Sequence, residues 1–188
     1  MDFTAYFSHD LSTEQIKEIC HRINYEKSQF PIIHNFVDEL LLYNPEDRDK
    51  VWSFEPDGIG GTNEIYGPCG FSFTFSDKVC YFHHYIRWKA FLTDEAIQYK
   101  LRKVCCELRK LLNSSFVIYV PDNAVRESVV LDFIWDDRNE DLNYIKNWLL
   151  INCGPPKENI KDIYKEYDEF WDSMGYYIDN FIDFEVDS

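Results

Sequence analysis

The chain contains no run of about 18 apolar residues, the length a helix needs to cross a bilayer. Its first residues, Met1-Asp2-Phe3-Thr4-Ala5-Tyr6, lack the basic and apolar regions of an export signal, so a cytoplasmic location is expected. Basic residues are few: 19 Lys and Arg stand against 34 Asp and Glu, a net charge of -15. A field of that sign repels phosphate backbones and anionic lipids, which argues against nucleic acid and membrane surfaces and in favour of a basic protein as partner. Glycine and proline are sparse, seven of each, and five of the glycines and two of the prolines crowd into 56–70, which reads as one long loop. Within that loop Gly58-Ile59-Gly60-Gly61-Thr62 lacks the lysine of a phosphate-binding loop and leads toward strands, so no nucleotide or other cofactor is expected. Cysteine is not scarce, but the six residues are dispersed and no export signal precedes them, which argues for free thiols in a reducing compartment.

What the chain has in quantity is aromatic residues, 18% of the total with five Trp and fifteen Phe. That content, in 188 residues, is enough for one large core and an ordered chain nearly end to end. We find no repeat and no linker composition, so 1–188 is read as one globular domain.

Alternation over 2–8 predicts a strand, with Phe3, Ala5 and Phe7 on one face. Ser12 and Gln15 have capping-box spacing, and Ile16, Ile19, Cys20 and Ile23 follow at helical period. A second helix is predicted after Pro31, carried by Ile33, Phe36, Val37, Leu40 and Leu41 and stopped at Asn44-Pro45. A short strand is expected over 51–54 and a hairpin over 71–88, turning at Asp77-Lys78. Thr93 is taken as the cap of a helix whose buried stripe is Ile97, Leu101, Val104, Cys105 and Leu108, with Cys106 peripheral. A strand over 116–120 follows, and then an acidic helical part from about residue 132. There Asp136 or Asp137 caps one helix, and Ile160, Ile163, Tyr164, Tyr167, Trp171 and Met174 mark another. The fold class expected is α+β, an antiparallel or mixed sheet of about four to five strands with helices packed on it.

Two constellations could carry chemistry. Cys80, His83 and His84 have a metal-like spacing, but in a strand Cys80 and His84 lie roughly 13 Å apart at about 3.3 Å per residue, and His83 points the other way. No metal site is expected from them. Cys69, flanked by Gly67-Pro68 and Gly70, could be the nucleophile of a thiol-dependent hydrolase with His83 or His84 as base, though no basic residue lies nearby in sequence to lower its pKa.

The acids are unevenly placed. From Asp132 onward there are fifteen acids against five bases, and 166–188 carries eight acids and no Lys or Arg. Asp136, Asp137, Glu140 and Asp141 form one cluster. Asp168, Glu169, Asp172, Asp179 and Asp183 form another, interleaved with Trp171, Tyr176 and other rings. A surface mixing carboxylates with aromatics supplies both steering and anchoring, so these residues are the candidate partner-binding set and no catalytic residue is expected.

In its high negative charge, aromatic content and single small domain, the chain resembles the immunity proteins of bacterial polymorphic-toxin and contact-dependent inhibition systems. The resemblance is one of type, over the whole chain and without a diagnostic motif. It implies a stoichiometric inhibitor, not an enzyme, that covers the active site of a cognate and often basic toxin domain. Two alternatives stand beside it: the hydrolase built on Cys69, and an inhibitor whose carboxylates imitate the phosphates of duplex DNA. The oligomeric state is not specified by the sequence.

Overall fold

The computed structural model describes residues 2–39, 45–120, 140–165, 175–182 and 184. Seven strands form one antiparallel sheet: β1 (Asp2–Ser8), β2 (Ser53–Glu55), β3 (Asn63–Tyr66), β4 (Ser72–Phe75), β5 (Val79–Arg87), β6 (Val117–Tyr119) and β7 (Tyr177–Asp179). Their order is β2-β3-β4-β5-β1-β6-β7, so the first strand lies inside the sheet between β5 and β6. The helices are α1 (Thr13–Tyr25), α2 (Pro31–Glu39), the short α3 (Pro45–Arg48), α4 (Trp88–Thr93), α5 (Glu95–Leu111), α6 (Leu142–Cys153) and α7 (Ile160–Lys165). The class is α+β, with seven strands where about four to five are expected from the sequence.

Both additional strands are short and carry little apolar signal. In β3 only Ile65 enters the core, while Asn63, Glu64 and Tyr66 stay at least partly exposed. It pairs with β2 and β4 inside the stretch read as a loop. One of the glycines around it answers to a ring rather than a turn: a Cβ on Gly67 would lie 2.4 Å from Trp52. The other missed strand, β7, lies just past the last predicted helix of the acidic end, and it pairs with β6 through all three of its residues.

Period-2 alternation gives the sheet two unlike faces. Phe3, Ala5, Phe7, Ile65, Phe73, Phe75, Cys80, Phe82, His84 and Tyr119 face the main core beneath α1, α2, α4 and α5. Phe3 sits at its centre, with ring centroids 4.7 Å from Phe91, 5.6 Å from Tyr119 and 5.8 Å from Phe82. Each such ring, fully buried, contributes roughly 2–3 kcal/mol. The opposite face is covered in part by α6, whose Leu142, Ile145 and Leu149 pack with Tyr6, Val79, Tyr81 and Ile118.

The helix ends show how local chemistry sets the elements. Ser12 and Gln15 form the reciprocal capping box of α1, Gln15 N–H donating to Ser12 Oγ at 3.3 Å and Ser12 N–H to Gln15 Oε1 at 2.8 Å. The cap of α5 is Asp94, not Thr93: its carboxylate accepts from Ala96 N–H and Ile97 N–H, while the Thr93 hydroxyl donates back to Lys89 O at the end of α4. The cap of α6 is Asp141, accepting from Tyr144 N–H at 2.8 Å, and not Asp136 or Asp137. Cys106 is buried rather than peripheral, because α5 is enclosed on more of its circumference than one stripe.

Candidate functional site

Of the partner-binding set, Glu140, Asp141, Tyr176 and Asp179 fall among the described residues. Asp136, Asp137, Asp168, Glu169, Trp171, Asp172 and Asp183 lie outside them. Two placements differ from expectation. Tyr176 is fully buried in the packing beneath α6, and its hydroxyl donates to Gly154 O at 2.9 Å. Asp179 is also buried, because its charge is matched inside the protein: Arg102 Nε and Nη2 donate to its two oxygens at 2.7 and 3.1 Å, and Tyr119 and Phe181 N–H add hydrogen bonds. Neither residue is available to a partner.

Glu140 and Asp141 border a cleft of about 800 Å³ between the end of β1, the β4–β5 turn, the end of α5 and the start of α6. Its walls are built locally. Helix α5 ends in a Schellman motif, Ser114 N–H to Arg109 O at 2.9 Å and Asn113 N–H to Lys110 O at 3.4 Å. Asn113 takes the left-handed position usual for glycine, with φ 55°. The Ser114 hydroxyl accepts from Ser8 N–H at 3.0 Å and donates to Phe116 O at 2.7 Å, which ties the end of β1 to this turn. His9 closes the floor: its N–H donates to Lys78 O, its Nδ1 accepts from Leu11 N–H, and burial pulls its pKa down, so the ring is neutral at pH 7.

Among the described residues the charged groups on this cleft are Asp10, Glu140 and Asp141 against one ammonium, Lys78, which pairs with Asp10 at 3.0 Å. The Asp10 side chain is 90% exposed, and Tyr144, 43% exposed, stands on the α6 wall. Three carboxylates, one ammonium and an accessible phenol favour a cationic guest, and the groups are held by a cap and two turns. Of these, Asp10, Tyr144 and Asn113 are not singled out by the sequence, and Lys78 only as a turn residue. The signal was present only in Asn113, an asparagine just past the end of a helical stripe.

The thiol and imidazole candidates are placed differently. Cys69 sits at φ 55° and is 2% exposed; burial raises its pKa, with nearby Arg48 opposing. His84 is buried on the main-core face among Phe36, Phe71 and Phe82, and burial drives its pKa down to about 3. Its Nδ1 accepts from Ile86 N–H at 3.0 Å, and the backbone of Cys69 is also in hydrogen-bonding reach of the ring. Cys69 and His84 are therefore neighbours, but a thiol raised in pKa beside so weak a base is poorly equipped for nucleophilic attack. His83 points to the opposite face, 3.8 Å from Asp2. Cys80 and His84 share a face as expected for a strand, and no group of three or more potential ligands that could hold a metal ion occurs among the described residues. Comparison of the chain with protein-family models, with curated proteins and with solved structures returns no match.

Proposed function

We propose that this chain is a binding protein that neutralises a basic protein partner, acting as an immunity protein does on its cognate toxin domain. The observation that carries this reading is the cleft beside α6, where Asp10, Glu140 and Asp141 outnumber Lys78 on a chain of net charge -15. Such a potential draws a cationic surface in and raises its encounter rate, while Tyr144 at the rim supplies a rigid amphipathic contact that slows release. A basic loop seated there would be covered, and an enzyme whose substrate is anionic commonly uses such a loop.

The test begins with the tagged chain retrieving its partner from native lysate, followed by measurement of association kinetics. Asp10→Asn, Glu140→Gln and Asp141→Asn combined remove three charges while keeping the α6 cap, since asparagine caps as well as aspartate. The association rate at low salt should fall by about tenfold or more, and its salt dependence should flatten. Expression of the partner alone should arrest growth, and co-expression of this chain should relieve it. An unchanged association rate removes the cleft from the reading, and a harmless partner removes the immunity role.

A further inference from the structure

Among the described residues, the sheet face opposite the main core is covered by α6 over part of its extent, and its outer half carries a second, separately built surface. Glu55 on β2 and Glu64 on β3 stand directly opposite each other in the strand register. Like charges in that position repel, and neither carboxylate forms an ion pair among the described residues. Tyr66, two residues along the same face of β3, donates its hydroxyl to Glu64. That bond raises the pKa of Tyr66 to about 12, with burial and the charges of Glu64 and Glu55 adding to it and Tyr85 contributing from β5. Two carboxylates and two phenols thus share one electrostatic neighbourhood.

Tyr85 is 60% exposed yet firmly seated. A Cβ on Gly70, which has φ +80°, would lie 2.3 Å from the Tyr85 ring, so the tyrosine packs directly against bare backbone. His83 meets the same ring edge-on, at 5.2 Å and 86°, and stacks in turn with Tyr81 at 6.3 Å. An exposed ring already fixed by its neighbours loses little entropy when a partner covers it.

We propose that this face docks an arginine-bearing extended segment of a basic protein, the guanidinium lying between Glu55 and Glu64 and against the ring of Tyr66, and the segment continuing over Tyr85. Charge complementarity selects the occupant. The two opposed carboxylates gain most from a cation that relieves their repulsion, and a planar guanidinium both bridges carboxylates through its fork of N–H donors and stacks on aromatic rings, which an ammonium does less well. A second copy of this chain, at net charge -15, is repelled. The inference shares with the proposed function the premise of a basic protein partner but concerns a different surface, and its test needs no partner.

The probe is acetyl-Gly-Arg-Gly-Arg-Gly-amide, titrated into protein carrying ¹³C-labelled tyrosine rings at about 150 mM salt, where distant charges are screened. The Tyr66 and Tyr85 resonances should move together and saturate, and a citrulline peptide of the same length should leave them in place. Glu55→Gln with Glu64→Gln should weaken binding by about tenfold, and Tyr85→Ala should weaken it as well. The double Gln variant relieves a like-charge pair, so its melting temperature should not fall, which separates lost binding from lost folding. Read at the Tyr66 and Tyr85 resonances, the triple cleft variant should titrate as the wild type does. Equal shifts at the exposed Tyr25 and Tyr164, or undiminished binding to the Gln variant, would overturn the proposal.

Discussion

Arg102 on α5 and Asp179 on β7 meet through two parallel hydrogen bonds of 2.7 and 3.1 Å, the carboxylate buried and the guanidinium closed over by Phe184 at 4.3 Å. The pair ties the last strand of the sheet to a helix of the main core. Removing one partner leaves the other as an uncompensated, largely buried charge, which costs about 3 kcal/mol or more. Asp179→Ala should therefore lower the urea midpoint strongly, and Arg102→Met combined with Asp179→Leu should recover most of the loss. If Asp179→Ala were neutral, the strand would not be held by this contact.

Two buried histidines give the fold a specific acid sensitivity. Burial drives the pKa of His84 to about 3 and also lowers that of His9. An unfolded histidine ionises near 6.5, so below that pH the unfolded chain binds protons that the native state refuses. Stability is thus full above about pH 6.5 and falls as pH drops toward 3, by about 1.4 kcal/mol per unit for His84, with His9 adding to the slope at the upper end. Glu107, whose pKa burial raises, acts with the opposite sign but only as carboxylates begin to titrate. Urea midpoints between pH 7.5 and 5.5 isolate the histidines. His84→Asn, which can still accept from Ile86 N–H, should be less stable at pH 7.5 but lose less on acidification; an unchanged slope would assign the sensitivity elsewhere.

The elements that could be read from sequence are those whose pattern is local and long. The alternation of 2–8 and the capping box at Ser12 each specify their structure within a few residues, and both appear as expected. Strand β3 has one core residue, Ile65, and β7 has three residues, so neither repeats the period-2 alternation often enough to stand out. Asp179 was read as surface because acids usually are, and its cation lies 77 residues away on α5, beyond any local signal. The site follows the same rule: Glu140 and Asp141 stood out as a run of acids, whereas Asp10 and Lys78 join them only through the pairing of β1 with the β4–β5 hairpin. The open face is less legible still, since Glu55, Glu64, Tyr66 and Tyr85 come from three strands, one of them read as loop.

The boundary between α4 and α5 gives a direct comparison of two adjacent candidate caps. Asp94 accepts two backbone N–H groups at 2.9 and 3.1 Å, whereas the Thr93 hydroxyl only donates to a carbonyl one turn back. Asp94→Ala should cost about 1 kcal/mol and Thr93→Ala less than about 0.5 kcal/mol, measured by chemical denaturation. The reverse order would move the start of α5 back by one residue.

Thiol reactivity distinguishes the binding reading from the hydrolase. None of the six cysteines is in a disulfide, five are buried, and Cys153 alone is half-buried at the end of α6. Burial raises the pKa of Cys20 and Cys69, and raises those of Cys80 and Cys105 further. Thiolates are the reacting species and a reagent must reach them, so access places Cys153 first. Brief treatment of native protein with iodoacetamide at pH 7, read by peptide mass spectrometry, should modify Cys153 while Cys69 stays unmodified until urea is added. Selective modification of Cys69 in native protein would mean that it reacts despite its burial and that His84 assists it, and the hydrolase would then displace the binding protein as the better account.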